Sequence, residues 1–540
     1  KDLNLRWSFI PPMILPKLRS LIGSPPSGGT AGTSNSKFLV DGPIVVKDIY
    51  DPHWDDDGNK WRTILIGSLG WGGKGFYMLD ITDELNPQFM GAIENDDKNN
   101  RVLKWNNGGV RTVHKYGTGS DIMGLTDEEY PYQYLGYTWS KPSIALLPYA
   151  QQESDPKFRQ RYALVFGAGY ASGLAVNQGN YVIVADVVGR LNTSTSSSDA
   201  VDTSAYKHFG PFDALSWKEV PKDAASDANQ GVTAAMSVIT PDKMSDTESD
   251  YYGGIAYFPD LHGQLWKYNL TRKELVPPGS TQYQHYDTVS TAATSHGDDS
   301  MHQLNKLWRS ETTVLNDRYG SHQVASTLIE NPSGKNVYNF FGTGDQSHIQ
   351  TRYSTIDNWI IGTRDIDFPD TELALTGTDK TKDSSGIFRW NISPGSGTSC
   401  SSTDVPGWYT KLTDRYGTSL PARVTGRISI KGGALYTPIY QPEDSHCPVY
   451  GTAEVLVMTN SCQGAVTSIN AGTGLSTSIT EDSEGNLYIG VSNKEDGVGS
   501  GFSATKRIDN LIKIGEAGTD ASSSNPARGI RIKSWRELFN

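Results

Sequence analysis

Apolar side chains along this chain come in short runs, some alternating with polar positions and some continuous, and each run stops at turn-forming residues. Runs of that length and punctuation predict β-strands joined by turns rather than helices. The clearest come in pairs: Tyr162–Gly169 then Tyr181–Asp186, Gly254–Phe258 then Gly263–Tyr268, and Val337–Gly344 then Trp359–Gly362. Six segments repeat one theme: an extended run, a turn, a second run ending in Gly-x-Gly or Gly-Asp, then an outer strand. They are Gly42–Thr82, Thr138–Leu191, Val232–Leu270, Gln323–Asp365, Ala422–Thr473 and Leu475–Ile514. Self-similarity at a period of about 40 to 60 residues, each unit a small antiparallel sheet, predicts an all-β protein of the β-propeller type. One such sheet cannot bury both faces alone, whereas blades stacked side by side bury them against each other. The expectation is a single propeller domain over residues 1–540 with six or seven antiparallel blades.

Polar stretches interrupt the pattern at about 97–134, 194–230, 271–318 and 370–404, and are expected to be surface loops. Arg6–Ile10 and Arg531–Arg536 are candidates for the strand that closes the ring. Within the first unit, Gly70-x-Gly72-x-x-Gly75 spells the dinucleotide-binding fingerprint. That fingerprint works only when its last glycine opens a helix, whose N-terminus holds the pyrophosphate. Here Phe76-Tyr-Met-Leu-Asp80 follows, a strand-like run, so the glycines are read as a hairpin turn that needs positive φ and close backbone approach.

Composition narrows the class. The chain holds 56 Gly, 27 Pro, 13 Trp, 27 Tyr and 15 Phe, which suits a large all-β architecture. A net charge of -12 argues against a general nucleic-acid binder and suits a secreted protein that holds cations. No run of 18 apolar residues exists, so no membrane-spanning helix is expected. The chain opens at Lys1 without an initiator Met or signal peptide and reads as part of something longer. Cys447 and Cys462 flank a hairpin-like segment and are a disulfide candidate; three unpaired thiols, with Cys400 the third, is the other reading.

Several motifs in order resemble the C-terminal domain of the PilY/PilC family of type IV pilus-tip proteins. They are Phe9-Ile-Pro-Pro12, Phe38-Leu-Val-Asp-Gly-Pro43, Thr63 to Thr82, Leu135-Gly-Tyr-Thr-Trp-Ser-Lys-Pro142, Val165-Phe-Gly-Ala-Gly-Tyr170, Pro259-Asp-Leu-His-Gly-Gln-Leu-Trp266, Gly407-Trp-Tyr409 and Ser534-Trp-Arg-Glu-Leu538. The resemblance implies a modified β-propeller behind a variable N-terminal region. It also implies export through the periplasm to an extracellular pilus tip or cell surface, and partnership there with minor pilins. Support of pilus assembly, adhesion, twitching motility and control of retraction follows from the same likeness.

The resemblance further implies a Ca²⁺ loop just before the Asp260 strand pair. Counting back gives Asp246, Glu248 and Asp250, with oxygens at alternate positions that can converge on a cation needing roughly six to eight of them. The loop is degenerate: Glu248 replaces a shorter side chain, Gly254 supplies no ligand, and the turn glycine is missing. Ca²⁺ and an ion-free acidic turn are therefore both open. Asp55, Asp57 and Asn59 have the same alternate spacing without a following Glu, as a weaker candidate. Asp482-Ser-Glu484-Gly-Asn486 reads as a hairpin turn.

No His-Glu-x-x-His, Cys-x-x-Cys or Gly-x-Ser-x-Gly occurs, so no catalytic zinc or nucleophile elbow is expected. A quinone-dependent dehydrogenase is also a propeller, but this chain has no Cys-Cys pair, and fold analogy alone is poor warrant for catalysis. An integrin-like receptor-binding module is a third reading; no Arg-Gly-Asp occurs. The reading is a non-catalytic, exported binding protein.

Overall fold

The computed structural model describes residues 5–18, 38–50, 61–116, 130–148, 160–171, 178–187, 211–221, 231–239, 254–270, 304–308, 319–331, 334–345, 357–365, 380–382, 388–390, 407–413, 421–442, 451–460, 467–483, 485–491, 507–508 and 511–515. Among them, helix is confined to α1 (Leu15–Leu18) and two 3-10 turns, Asp97–Asn99 and Pro131–Tyr134. Everything else that is regular is strand, as the propeller class requires. The chain divides into two compact units, Lys1–Ala256 with Tyr268–Leu304, and Tyr257–Lys267 with Asn305–Asn540.

In the first unit, β1 (Ile44–Tyr50), β2 (Trp61–Ser68), β3 (Gly75–Asp80), β4 (Gln88–Asp96), β5 (Arg101–Trp105) and β6 (Arg111–Lys115) form one sheet in sequence order. Every neighbouring pair is antiparallel. Side chains alternate across it as the pleat demands. Phe76 and Met78 join one core with Ile64, Ile66 and Ile93, while Tyr77 and Leu79 join another with Met13, Ile14 and Trp105. Each such fully buried side chain stabilises by about 1.5–3 kcal/mol, and truncating Phe76 to Ala would cost about 3–5 kcal/mol. The first core is completed by the second sheet, β7 (Ser143–Pro148), β8 (Gln160–Gly167), β9 (Tyr181–Asp186) and β10 (Ala214–Glu219), through Leu164, Phe166 and Ile183. The second core is covered by the N-terminal segment. Arg6–Ile10 forms no closing strand; Pro11 and Pro12 follow it and lack donors, and its aromatics serve as a lid instead. Phe9 packs 5.6 Å from Tyr77 and 5.8 Å from Phe89, and the Trp7 indole donates to the Glu84 carbonyl at 3.0 Å.

A third sheet runs β11 (Ser237–Ile239), β12 (Ile255–Pro259), β13 (Leu265–Asn269), β14 (Leu304–Trp308). The second unit continues with β15 (Ala325–Asn331), β16 (Gly334–Gly342) and β17 (Trp359–Asp365). A separate ribbon of β18 (Lys380–Lys382) and β19 (Phe388–Trp390) comes next, and β20 (Gly407–Lys411) then returns to pair with β17. A fifth sheet contains β21 (Arg423–Val424), β22 (Ser429–Lys431), β23 (Ala434–Gln441), β24 (Thr452–Thr459) and β25 (Thr467–Thr473). The sixth runs β26 (Thr480–Glu481), β27 (Leu487–Gly490), β29 (Leu511–Gly515), β28 (Arg507–Ile508). The fifth sheet is sandwiched: Leu435, Leu456 and Met458 face Phe340 and Ile360, while Ala453, Val455 and Ile469 face Ile489 and Ile514. Two-sided burial explains why these strands read as continuous apolar runs.

All six repeats correspond to sheets, but the polar stretches are not simply loops. The stretch at 97–134 contains β5 and β6, which widen the first sheet; 194–230 contains β10, 271–318 contains β14, and 370–404 contains the β18–β19 ribbon. Outer strands such as Ala214–Glu219 are short and partly polar, and they lie far in sequence from the strand they join. Their pairing is therefore set by tertiary contact rather than local pattern. The closing-strand candidate Arg531–Arg536 lies outside the described residues.

Candidate functional site

The acidic loops do not supply a site that can be described. Asp246, Glu248, Asp250, Asp55, Asp57 and Asn59 lie outside the described residues, as do Cys400, Cys447 and Cys462. Among the described residues no group of three His, Cys, Asp or Glu side chains is placed to hold a metal ion. Asp482 lies in a hairpin turn between β26 and β27, where its carboxylate accepts from the Asn486 backbone N–H and side-chain amide, both at 2.8 Å.

That turn has a twin which sequence reading did not pair with it. Asp260-Leu-His-Gly-Gln-Leu-Trp266 and Asp482-Ser-Glu-Gly-Asn-Leu-Tyr488 share Asp-x-x-Gly-x-Leu-aromatic. In both, the aspartate carbonyl accepts from the glycine N–H at 3.0 Å, and the glycine takes positive φ, +67° at Gly263 and +81° at Gly485. In the first copy the Asp260 carboxylate accepts from the backbone N–H of His262 and Gln264 at 2.9 and 3.0 Å and from the Trp266 indole at 2.8 Å. Burial pushes the Asp260 carboxyl above its ordinary range, and the His262 charge and these donors pull it back. A carboxylate so thoroughly engaged organises a turn; it is not poised for chemistry.

The feature with the character of a binding site is built on the first glycine hairpin. Leu69–Lys74 connects β2 to β3, with Gly70 at φ +54°, and no helix follows Gly75. The fingerprint glycines are therefore turn glycines. A Cβ on Gly72 would stand 1.9 Å from the Leu39 carbonyl oxygen, so only glycine lets the 38–41 segment lie against the turn. Thr138 bolts a second segment to the same hairpin: its hydroxyl donates to the Gly75 carbonyl at 2.9 Å and accepts from the Leu69 N–H at 3.1 Å. Tyr137 exchanges backbone hydrogen bonds with Tyr170, at 2.7 and 2.9 Å, which ties in a third.

Each pinned segment carries aromatic side chains, and they converge. Trp71 lies 5.2 Å from Tyr137, 5.7 Å from Trp139 and 5.5 Å from Tyr170, centroid to centroid. Trp71 is 40% exposed on a turn tip, and the other three are half-buried around it. Beside them, the Lys74 ammonium lies 5.6 Å from the centre of the Tyr137 ring and donates to Asp97 at 2.7 Å and Gln178 at 2.6 Å. On the same hairpin, Lys17 donates to the Gly72 carbonyl at 3.0 Å and to Glu94 at 3.2 Å. Burial pushes the Glu94 carboxyl up, and the Lys17 charge opposes it. The result is a rigid aromatic patch with an internally compensated polar rim.

None of these aromatics was singled out as a site residue from sequence. The signal was present, since Trp71, Tyr137 and Tyr170 each adjoin a glycine in a motif that carried the resemblance. Only the fold brings the three motifs together.

Comparison with known proteins agrees with the motif series. Residues 14–189 match the family model for the PilY1 beta-propeller domain. The type IV pilus biogenesis factor PilY1 of Pseudomonas aeruginosa is 24% identical over 371 residues, covering 66% of this chain and 23% of that protein. A PilY1 homolog of Xylella fastidiosa is 23% identical across 99% of this chain and 33% of its own length. This chain thus spans about a quarter to a third of the curated relatives it matches. The crystal structure of the P. aeruginosa PilY1 C-terminal domain aligns at 17% identity and a TM-score of 0.48, covering 84% of this chain and 83% of that one. The resemblance to the PilY/PilC propeller family read from the motifs is borne out.

Proposed function

We propose, from a chain that matches the PilY1 beta-propeller family over residues 14–189, that this protein is the propeller part of a type IV pilus biogenesis factor. It works at the cell surface or pilus tip by binding rather than catalysis. The observation that carries the reading is the match of residues 14–189 to that family model, alongside relatives named for pilus biogenesis. Minor pilins are the proposed partners, and adhesion and twitching motility the proposed outputs. The test is a strain in which the segment encoding this chain is deleted in frame. Loss of surface pili and twitching, restored by complementation, is expected; wild-type piliation in the deletion strain overturns the reading.

Ca²⁺ regulation through Asp246, Glu248 and Asp250 belongs to the same proposal, motivated by alternately spaced oxygens in one loop. EDTA-stripped protein is titrated with Ca²⁺ by calorimetry beside an Asp246→Ala, Asp250→Ala variant. Binding confined to the wild type supports the loop. Binding that survives in the variant moves the ion to Asp55, Asp57 and Asn59, and no heat in either protein removes the metal from the proposal.

A further inference from the structure

We propose that the patch around Trp71 is a carbohydrate subsite that takes a neutral pyranose ring. Three features point to that chemistry. The first is a partly exposed indole with no parallel ring among its described aromatic neighbours: Tyr137, Trp139 and Tyr170 meet Trp71 at 57°, 75° and 74°. A pyranose presents a flat face of C–H groups, weakly positive, which suits the negative face of an aromatic ring. Hydroxyls project from the edge of the same sugar and need mixed donors and acceptors alongside.

The second feature supplies them. Asp97, Lys74 and Gln178 meet through one ammonium beside the Tyr137 ring, and the Asp97 side chain is 37% exposed. Carboxylate, ammonium and amide together offer both hydrogen-bonding senses. Lys74 and Asp97 already neutralise each other at 2.7 Å, so the rim selects an uncharged ligand over an ionic one.

Rigidity and size are the third. The rings are held by backbone hydrogen bonds between 69–75, 137–139 and 169–170, and by glycines that a Cβ would push away. A Cβ on Gly136 would meet the Tyr170 carbonyl oxygen at 2.2 Å, and one on Gly169 the Tyr137 carbonyl oxygen at 2.1 Å. Little conformational freedom is left to lose on binding, which favours weak, small ligands that gain few contacts. One exposed indole among half-buried rings is far less than the ~800 Å² per partner that a stable protein interface buries. A sugar ring fits that area, and a folded partner does not.

The full 540-residue chain is tested against maltotriose, cellotriose, chitotriose and lactose by saturation-transfer NMR and by titration. At least one probe is expected to show saturation of its C–H protons. Trp71→Ala should weaken that binding at least tenfold and Asp97→Asn several-fold. Trp61→Ala, which removes another exposed indole of the same sheet, should leave it unchanged. Thermal scans of all three variants establish that they fold. No Trp71-dependent binding of any of the four probes overturns the proposal. So does a Trp71→Ala variant that loses capture of purified minor pilin while no sugar binds the wild type. The sugar titrations contain no pilus component, so their failure leaves the pilus reading standing, and the deletion strain can fail without touching this proposal.

Discussion

Lys267 and Asp365 are both fully buried, and the ammonium sits 2.6 Å from the carboxylate, which also accepts from the Tyr257 hydroxyl at 2.7 Å. Replacing Lys267 with Met removes the positive partner and leaves a carboxylate in the interior of the second unit. Breaking one half of a buried pair costs about 3–5 kcal/mol, because the remaining charge is neither solvated nor compensated. Replacing both, as Lys267→Met with Asp365→Leu, removes that penalty, and the double variant should return to within about 1–2 kcal/mol of wild type. Urea unfolding of the full chain, followed by a probe that isolates the second unit's transition, measures all corners of the cycle. High salt should change the single variant's cost little, since buried charges are weakly screened. A Lys267→Met variant within about 1 kcal/mol of wild type, or a double variant worse than the sum of the singles, would refute the argument.

Gly72→Ala should destabilise the first unit by about 2–3 kcal/mol, because its Cβ would meet the Leu39 backbone at 1.9 Å; hydrogen exchange should show the loss around residues 38–41. Trp266→Phe should cost about 2–3 kcal/mol in chemical denaturation, the loss of one indole donor to a buried carboxylate plus a small cavity. Burial holds the His322 imidazole down, to about 4, so the fold prefers it neutral. That stability is present above pH ~6.5 and is lost as pH falls toward 4, by about 1–2 kcal/mol for a side chain that is only partly shielded. His322→Gln should flatten that part of the pH-stability curve, and an unchanged slope would count against the assignment.

The local pattern of the chain determined the strands and their turns. Apolar runs ending at turn residues placed the two inner strands of the second, third and fourth sheets, since two-sided burial selects branched and aromatic residues wherever a strand lies between neighbours. Glycine followed by Phe76-Tyr77-Met78 excludes a helix on sequence pattern alone, and with it the dinucleotide reading. Backbone contacts that tolerate no Cβ, as at Gly72, Gly136 and Gly169, account for the glycines in three of the motifs that carried the resemblance. Tertiary structure decided the rest. The outer strands Ala214–Glu219 and Leu304–Trp308 are short and separated from their partners by long polar stretches, so their pairing has no local signature. The aromatic patch likewise joins Trp71 to residues roughly seventy and a hundred positions away, and no sequence periodicity relates them. Strand and turn are written in nearest-neighbour chemistry, whereas a site assembled from three separate segments exists only once backbone hydrogen bonds have brought those segments together.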